Sequence, residues 1–577
     1  MSIQFTDIAE SLAEKGLKLP NLNVLTPDAR AYEILAIQPV GVIDPRNDFV
    51  GHANREIAQK KFAGFMALAV EKKADLVLSP EYSCPWEVLK TALQQGKFPA
   101  IGKLWVLGCE SITPIKFREF TASFPGVAWI HEELPNGVGD FLGVVCYLLK
   151  TESNGGAVKD VIVVQFKTVP MAGHDTSEAD HLLCGQKVYF LRTQNDYIRF
   201  ATLICSEALE FQLDEGIEQQ FAQHPFIIFH PQLTNDPRNA GVRKYRNDLF
   251  FNTCSRDLEV IALNWARGFQ IGAHEPSRYG NSAVFMKSDK FNRSDDRLHQ
   301  NHQRGIYYCH WHVNRTELCL LNFNEHIFHF RTQKPHLLGA AVELRRTGPE
   351  MCNLWRWHNE AWQVCAEADD GFQQLCQALG NPSLNGCLTV VDRERLLTLS
   401  AGRLEPASDW HKVEKLNSFI AETDERSKRL TFVHEPSNDS AEFRTEHLSR
   451  YSRLQNFILP NAANFPPSIL DLRENWQLHP PQENSAFRFN LEGISAGIQG
   501  ATAVFVGHRP LSDVRELWDK FDKAWRNKEN ERGEEKTRRL VIWYEDAGGN
   551  IGHQSQPLAT ITDDPELRTS FTKSERQ

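Results

Sequence analysis

Residues 74–81 read Ala-Asp-Leu-Val-Leu-Ser-Pro-Glu, a short apolar run that ends on a carboxylate. The stretch before it, Asn54–Lys73, carries Ala58, Phe62, Phe65 and Ala69 at spacings of four, three and four, which predicts an amphipathic helix. Helix followed by buried strand is the unit of an α/β fold. A charge at the end of such a strand is costly unless it has a partner or a task, so Glu81 stands out. Taken alone it also reads as a rim charge. Pro80 is expected to end ladder bonding just before it.

Working outward, the same rhythm continues. Glu33–Val42 and Leu104–Gly108 read as strands on either side of the helix-strand unit. Phe141–Lys150 and Asp160–Phe166 are two apolar runs joined by Glu-Ser-Asn-Gly-Gly at 152–156, a hairpin signal. That hairpin leads into Gln165-Phe166-Lys167. Ile198–Ile204 is a further strand, running into Cys205-Ser206-Glu207 and a helix-favouring segment. Phe226–Phe229, Glu259–Asn264, Ser282–Met286 and Gly305–Trp311 add strands, and Arg246–Arg256 reads as a helix. The pattern predicts mixed sheets with helices outside.

The rhythm changes near Gln333–Pro335. We therefore expect a short leader over 1–30, one α/β domain over 31–335 and a second, α+β region over 340–577. In that last region Trp355, Trp357 and Trp362 read as a core cluster. Leu511–Lys528 reads as a helix, with Val514, Leu517, Phe521 and Trp525 in register. Asn527–Arg539 is a solvated charge run, and Arg539–Tyr544 a strand.

Composition narrows the function classes. The chain has 577 residues, 41% hydrophobic and 24% charged, with a formal net charge of −10. Such a balance argues against non-specific binding to nucleic acid or anionic membrane. No run is long and apolar enough for a membrane span, and the N-terminus lacks a secretory pattern. The 12 cysteines are irregularly spaced, without a Cys-x-x-Cys pair, so a zinc ribbon or dithiol redox motif is not expected. Free thiols in a reducing cytoplasm are the simplest reading.

Cys205 sits between a strand and a helix, a place where a nucleophile is exposed beside backbone N–H groups able to hold an oxyanion. A helix N-terminus also favours the thiolate. The bland alternative is a buried structural cysteine, since free cysteine is among the most buried residue types. Lys167, after a strand, is by itself an ordinary edge lysine. Together, a carboxylate, an ammonium and a thiol at three strand ends suit nucleophilic attack on a carbonyl or nitrile carbon.

Seven runs in order carry a family likeness. They are Ala36-Ile37-Gln38, the helix leading to Ala-Asp-Leu-Val-Leu-Ser-Pro-Glu81, Gln-Phe-Lys167-Thr-Val-Pro, Leu-Ile-Cys205-Ser-Glu, Phe-Ile-Ile-Phe-His-Pro at 226–231, Glu-Val-Ile-Ala-Leu-Asn at 259–264, and Tyr-Gly-Asn-Ser at 279–282. In that order they resemble the nitrilase, or carbon–nitrogen hydrolase, superfamily over residues of about 30–335. The departures are Ser206, where the family has tyrosine, and Asn252–Arg256, which lacks the family's Glu and Asn. The family's arginine before the lysine is also replaced, by Gln165 or Phe166 depending on register.

The resemblance implies a four-layer αββα sandwich and a Glu81–Lys167–Cys205 triad. It implies a thiol hydrolase of a non-peptide C–N bond, of amidase type, forming a covalent thioester. Glu178 is the expected fourth, substrate-positioning residue, and the N–H of Ser206 the expected oxyanion donor. No cofactor and no metal are expected. Partners expected are a small amide or nitrile substrate, further copies of the chain, and a protein partner through 340–577. Acyl transfer from the same thioester, and a small-molecule sensor or scaffold signalling through 340–577, remain open alternatives. Cys309-His-Trp-His312 and His326-Ile-Phe-His329-Phe look ligand-like, but two neighbouring ligands do not complete a zinc site. Cys84 lies close to Glu81 in sequence, with no role assigned.

Overall fold

The computed structural model describes residues 4–135, 137, 139–171, 177–211, 215–234, 244–245, 248–252, 257–274, 282–287, 306–311, 316–321, 324–338, 342–344, 347–365, 476–478, 491–493, 502–508, 510–516, 518–519 and 540–555. The described residues through Cys365 belong to one compact unit and those from Trp476 onward to a second.

The first unit is α/β. Its chain begins β1 (Gln4–Asp7), α1 (Ile8–Glu14), β2 (Ala31–Gln38), β3 (Val42–Arg46), β4 (Phe49–His52), α2 (Arg55–Lys72) and β5 (Leu76–Cys84). It continues α3 (Trp86–Gln94), β6 (Leu104–Ile112), α4 (Pro114–Ala122), β7 (Ala128–Ile130), β8 (Leu142–Glu152), β9 (Val158–Phe166) and α5 (Glu178–His181). Next come β10 (Lys187–Arg192), β11 (Arg199–Thr202), α6 (Glu207–Glu210), α7 (Glu215–Gln223), β12 (Phe226–Pro231) and β13 (Leu258–Leu263). The closing strands are β14 (Gln270–Ile271), β15 (Ala283–Lys287), β16 (Ile306–Trp311), β17 (Thr316–Leu321), β18 (His326–Gln333), β19 (His336–Leu338), β20 (Val342–Leu344), β21 (Thr347–His358) and β22 (Ala361–Val364).

Two large sheets result. One has nine strands in the order β22-β21-β18-β2-β5-β6-β8-β9-β7, the other eight in the order β1-β10-β11-β12-β13-β15-β17-β16. Each has a parallel trio at its heart: β2, β5 and β6 in the first, β11, β12 and β13 in the second. Buried polar links join the sheets. Gln165 on β9 donates to the Thr202 carbonyl on β11 at 3.1 Å, and Tyr32 on β2 hydrogen-bonds Glu259 on β13. Helices α2, α3 and α4 pack on the nine-stranded sheet, setting Phe62, Phe65, Leu89 and Phe117 against Ile37, Val77, Trp105 and Leu107. Asn54 caps α2 by accepting from the Ile57 N–H at 3.2 Å, as its sequence position invites.

Three sequence expectations change. The stretch over 1–30 is not a detached leader: β1 pairs in parallel with β10 and α1 buries Ile8 and Leu12. The nine-stranded sheet also runs past the boundary expected at 335, because β21 pairs with β18 and β22 with β21. The tryptophans expected in a second region thereby join this sheet, with Trp355 buried in its core and Trp357 packed on Trp362 at 5.3 Å between ring centroids. Finally, β5 does not stop at Pro80. The chain bulges between Ser79 and Cys84 and then rejoins β6, placing the proline, which has no N–H to offer, within the bulge.

The hairpin of β8 and β9 forms as its two glycines predict. Residues 248–252 make a single π-helical turn; the rest of the helix expected over Arg246–Arg256 lies outside the described residues, as do Tyr279–Asn281, His312 and the charge run 527–539. In the second unit, five strands order as Trp476–Leu478, Leu491–Gly493, Thr502–His508, Leu540–Glu545 and Ile551–Ser555. Residues 511–516 are helical, within the predicted helix whose later part is also outside the described residues.

Candidate active site

The C-terminal ends of parallel strands are where open α/β sheets bind ligands. Here the bulge in β5 and the ends of β9 and β11 bring Glu81, Lys167 and Cys205 together from the two sheets. Lys167 follows β9, and its backbone is pinned on both sides: its N–H donates to the Gly143 carbonyl and its carbonyl accepts from the Gly185 N–H, each at 2.9 Å. Its ammonium is fully buried, 2.7 Å from Glu81 Oε1 and 2.7 Å from Glu178 Oε2. The contact to Glu178 is a bidentate hydrogen bond, at 2.8 and 2.7 Å. The contact to Glu81 is an ion pair at 2.7 Å.

Glu178 opens the short helix α5 and is itself clamped. Tyr82 Oη donates to its Oε1 at 2.6 Å and the Met171 N–H to its Oε2 at 2.6 Å. The Lys167 ammonium also lies over the Tyr82 ring, 5.7 Å from its centroid, a geometry the ring quadrupole favours.

Cys205 occupies the turn between β11 and α6, as the strand-then-helix pattern predicts. Its φ is +41°, a left-handed conformation rare for a residue with a side chain. Three bonds hold that turn. The Cys205 N–H donates to the Pro231 carbonyl at 2.9 Å, His230 Nε2 lies 3.0 Å from the Cys205 carbonyl, and the Ser206 hydroxyl donates to the Val169 carbonyl at 2.6 Å. The thiol lies beside the Glu81 carboxylate, with Sγ 3.9 Å from the Leu233 carbonyl oxygen. Among the described residues nothing accepts from the Ser206 N–H.

The bulge in β5 aims Glu81. Tyr82 within it also has a positive φ, +54°, and Trp265 Nε1 donates to the Glu81 carbonyl at 2.8 Å. Two glycines make the space. A Cβ on Gly108 would sit 2.1 Å from the Pro80 carbonyl oxygen, and one on Gly143 would sit 2.9 Å from Tyr82 Oη and 3.1 Å from Lys167 Cβ. Strained residues held by surrounding structure cluster at functional sites.

The electrostatics follow from burial. Loss of water raises the Glu81 carboxyl to about 7, Lys167 pulling the other way. Burial likewise pushes the Cys205 thiol well above its ordinary value, reinforced by the charge on Glu81. For Lys167 burial opposes the charge, but Glu178, Glu81 and Cys205 outweigh it, and the ammonium is held more firmly than an ordinary lysine.

Residues that the sequence reading did not single out complete the frame. Glu207, fully buried two positions after the thiol, accepts from the Ile204 N–H at 2.7 Å, the Thr168 N–H at 2.8 Å and the Thr168 hydroxyl at 3.0 Å. It therefore ties the cysteine turn to the lysine strand. Tyr82 and His230 support Glu178 and the Cys205 turn. The quoted Ile-Cys-Ser-Glu run contains Glu207, so its acid next to a buried turn was a usable signal; His230 lies in the quoted 226–231 run, but nothing local marks its contact with the Cys205 carbonyl. Cys84 is buried in the core next to Cys109 and Cys146, away from any exposed surface. No cluster of three or more His, Cys, Asp or Glu able to hold a metal occurs among the described residues, and no helix among them is long and apolar enough to cross a membrane.

No family model matches the chain, and no curated protein matches it. Among solved structures the chain is similar to a glutamine-dependent NAD+ synthetase from Acinetobacter baumannii in complex with adenosine diphosphate, at 12% identity and a TM-score of 0.26. That match covers 67% of this chain and 56% of the other, so the chain spans little more than half of that structure's length.

Proposed function

We propose that residues Glu81, Lys167 and Cys205 are the catalytic triad of a thiol hydrolase acting on a non-peptide C–N bond, of amidase type, carried on an αββα sandwich. One observation carries the reading: a buried ammonium between two carboxylates, with a thiol beside one of them on a strained strand-to-helix turn. An ordinary edge lysine or a core cysteine has no need of that arrangement.

In this mechanism Glu81 takes the Cys205 proton as the sulfur attacks the carbonyl carbon. The developing oxyanion is met by the Lys167 ammonium and the unused Ser206 N–H. Collapse breaks the C–N bond, and the leaving nitrogen takes its proton from Glu81. A water molecule then gives a proton to Glu81 and attacks the thioester. This step releases the carboxylic acid and returns the proton to sulfur. Glu178, locked to Lys167 by two hydrogen bonds, fixes the ammonium's position. A base raised to about 7 by burial is matched to neutral pH. Because Glu81 must be ionised to act, kcat/KM rises with pH through about 7.

The test is a panel of aliphatic and aromatic amides with intact-mass detection. The expected result is a transient acyl adduct and ammonia release, both absent in Cys205→Ala. An adduct that forms and never turns over would replace this reading with that of a ligand sensor. No adduct on any amide or nitrile would remove the thiol from the account.

A further inference from the structure

A cavity of about 450 Å³ opens between the β3–β4 hairpin and helices α2, α3 and α4. None of Glu81, Lys167, Glu178 or Cys205 lines it. At its floor is Glu110, from β6, only 2% exposed. One carboxylate oxygen, Oε1, accepts the His52 N–H at 2.8 Å. The other, Oε2, receives no hydrogen bond from any described residue and is not sealed from the cavity. A buried carboxylate with open lone pairs asks for a donor from outside, because an unmade hydrogen bond to a charged buried group is expensive.

The walls define what that donor belongs to. Trp86 spends its indole N–H on the Glu110 carbonyl at 2.7 Å, leaving its ring as an apolar surface, packed edge-on to Phe120 at 4.8 Å. Lys90 and Lys116 reach the same cavity and make no ion pair among the described residues. Arg55 is there too, its guanidinium 4.7 Å over the Phe49 ring. Asp48, Glu87 and Glu119 line the cavity as well, so its walls carry both signs of charge and a ligand of a single charge meets like charge on some of them. A molecule with an ammonium at one end and a carboxylate at the other satisfies both, and the volume is that of a small-molecule pocket.

We propose that this cavity binds a free amino acid with an apolar side chain. Its ammonium would lie on Glu110 Oε2, its carboxylate toward Lys90, Lys116 and Arg55, and its side chain against Trp86 and Phe120. The inference does not rest on the hydrolase reading, and binding is expected to be the same in Cys205→Ala.

The test is isothermal titration calorimetry on the full chain with the common amino acids, with phenethylamine and 3-phenylpropanoate as single-charge controls. Expected is saturable binding of L-phenylalanine or L-leucine, with each control at least about tenfold weaker, the worth of a charged hydrogen bond. Glu110→Gln should weaken binding by about tenfold or more, and Lys116→Ala by a few-fold as expected of a partly exposed charge. If Glu110→Gln does not fold, Lys116→Ala and Lys90→Ala carry the test. Three results would each overturn the proposal: no saturable binding of any amino acid, equal binding of phenethylamine and phenylalanine, or binding unchanged by the variants.

Discussion

Glu81 and Glu110 stand on neighbouring parallel strands, β5 and β6, each 3% exposed or less. Burial raises both carboxyls to about 7. Their surroundings then diverge. Glu81 faces the Lys167 ammonium at 2.7 Å, which is locked in turn by Glu178, itself held by Tyr82 and Met171. Glu110 has a backbone N–H on one oxygen, and Arg55 and Glu87 act on it only at a distance with opposite signs. A charge answered wholly from within the fold has a fixed geometry, which is what a reacting group needs. A charge answered in part keeps capacity for something that arrives.

That contrast can be broken most severely at Lys167. Lys167→Met leaves two buried carboxylates with no cation between them and should destabilise the fold by about 3–5 kcal/mol, the loss expected when one member of a buried pair is removed. Chemical denaturation of the first unit would report it; a loss below about 1 kcal/mol would mean that water already reaches the pair. Glu178→Gln is the intermediate case. It keeps the shape and an acceptor oxygen but gives up a charged, bidentate partner, and a loss of about 1–3 kcal/mol is expected, together with faster alkylation of Cys205 if Lys167 swings free.

The smallest effect belongs to Glu110→Gln, within about 1 kcal/mol of wild type at pH 7, and its sign depends on pH. A carboxyl whose folded value lies near 7, above its unfolded value of 4.5, holds a proton in the folded state where the unfolded chain has lost it. Its favourable contribution is complete below about 4.5 and is lost as pH rises through 7. The glutamine variant removes that dependence, so a plot of melting temperature against pH between 5 and 8 should be flatter than that of wild type. An unchanged slope would place Glu110 in water and void its comparison with Glu81.

How much of this was legible beforehand varies with the physical cause. The strand ends that carry Lys167 and Cys205 follow from apolar runs stopping at polar residues, as does the position of Glu81 after an apolar run, and the strand-to-helix turn at Cys205 follows from the change in periodicity. The helix at Asn54 and the hairpin at Gly155–Gly156 were equally plain, because a cap and a pair of glycines act locally. The continuation of β5 past Pro80 was not. It depends on Gly108 on the next strand, whose missing side chain leaves room for the Pro80 carbonyl. Nor could the contacts of Tyr82 and His230 be read, since their partners, Glu178 and the Cys205 carbonyl, are distant in sequence. The strands at 347–358 and 361–364 were assigned elsewhere because their pairing with β18 leaves no local mark.

The parallel pairing of Gln4–Asp7 with Lys187–Arg192, fastened by Asp7 to Arg192 at 2.6 Å, has a practical consequence at the bench. Trimming those first residues, or forcing a bulky fusion partner into them, would strip the outer margin from β10 and leave its N–H and C=O row open to another chain. Protein handled that way would be expected to self-associate through the exposed edge of β10.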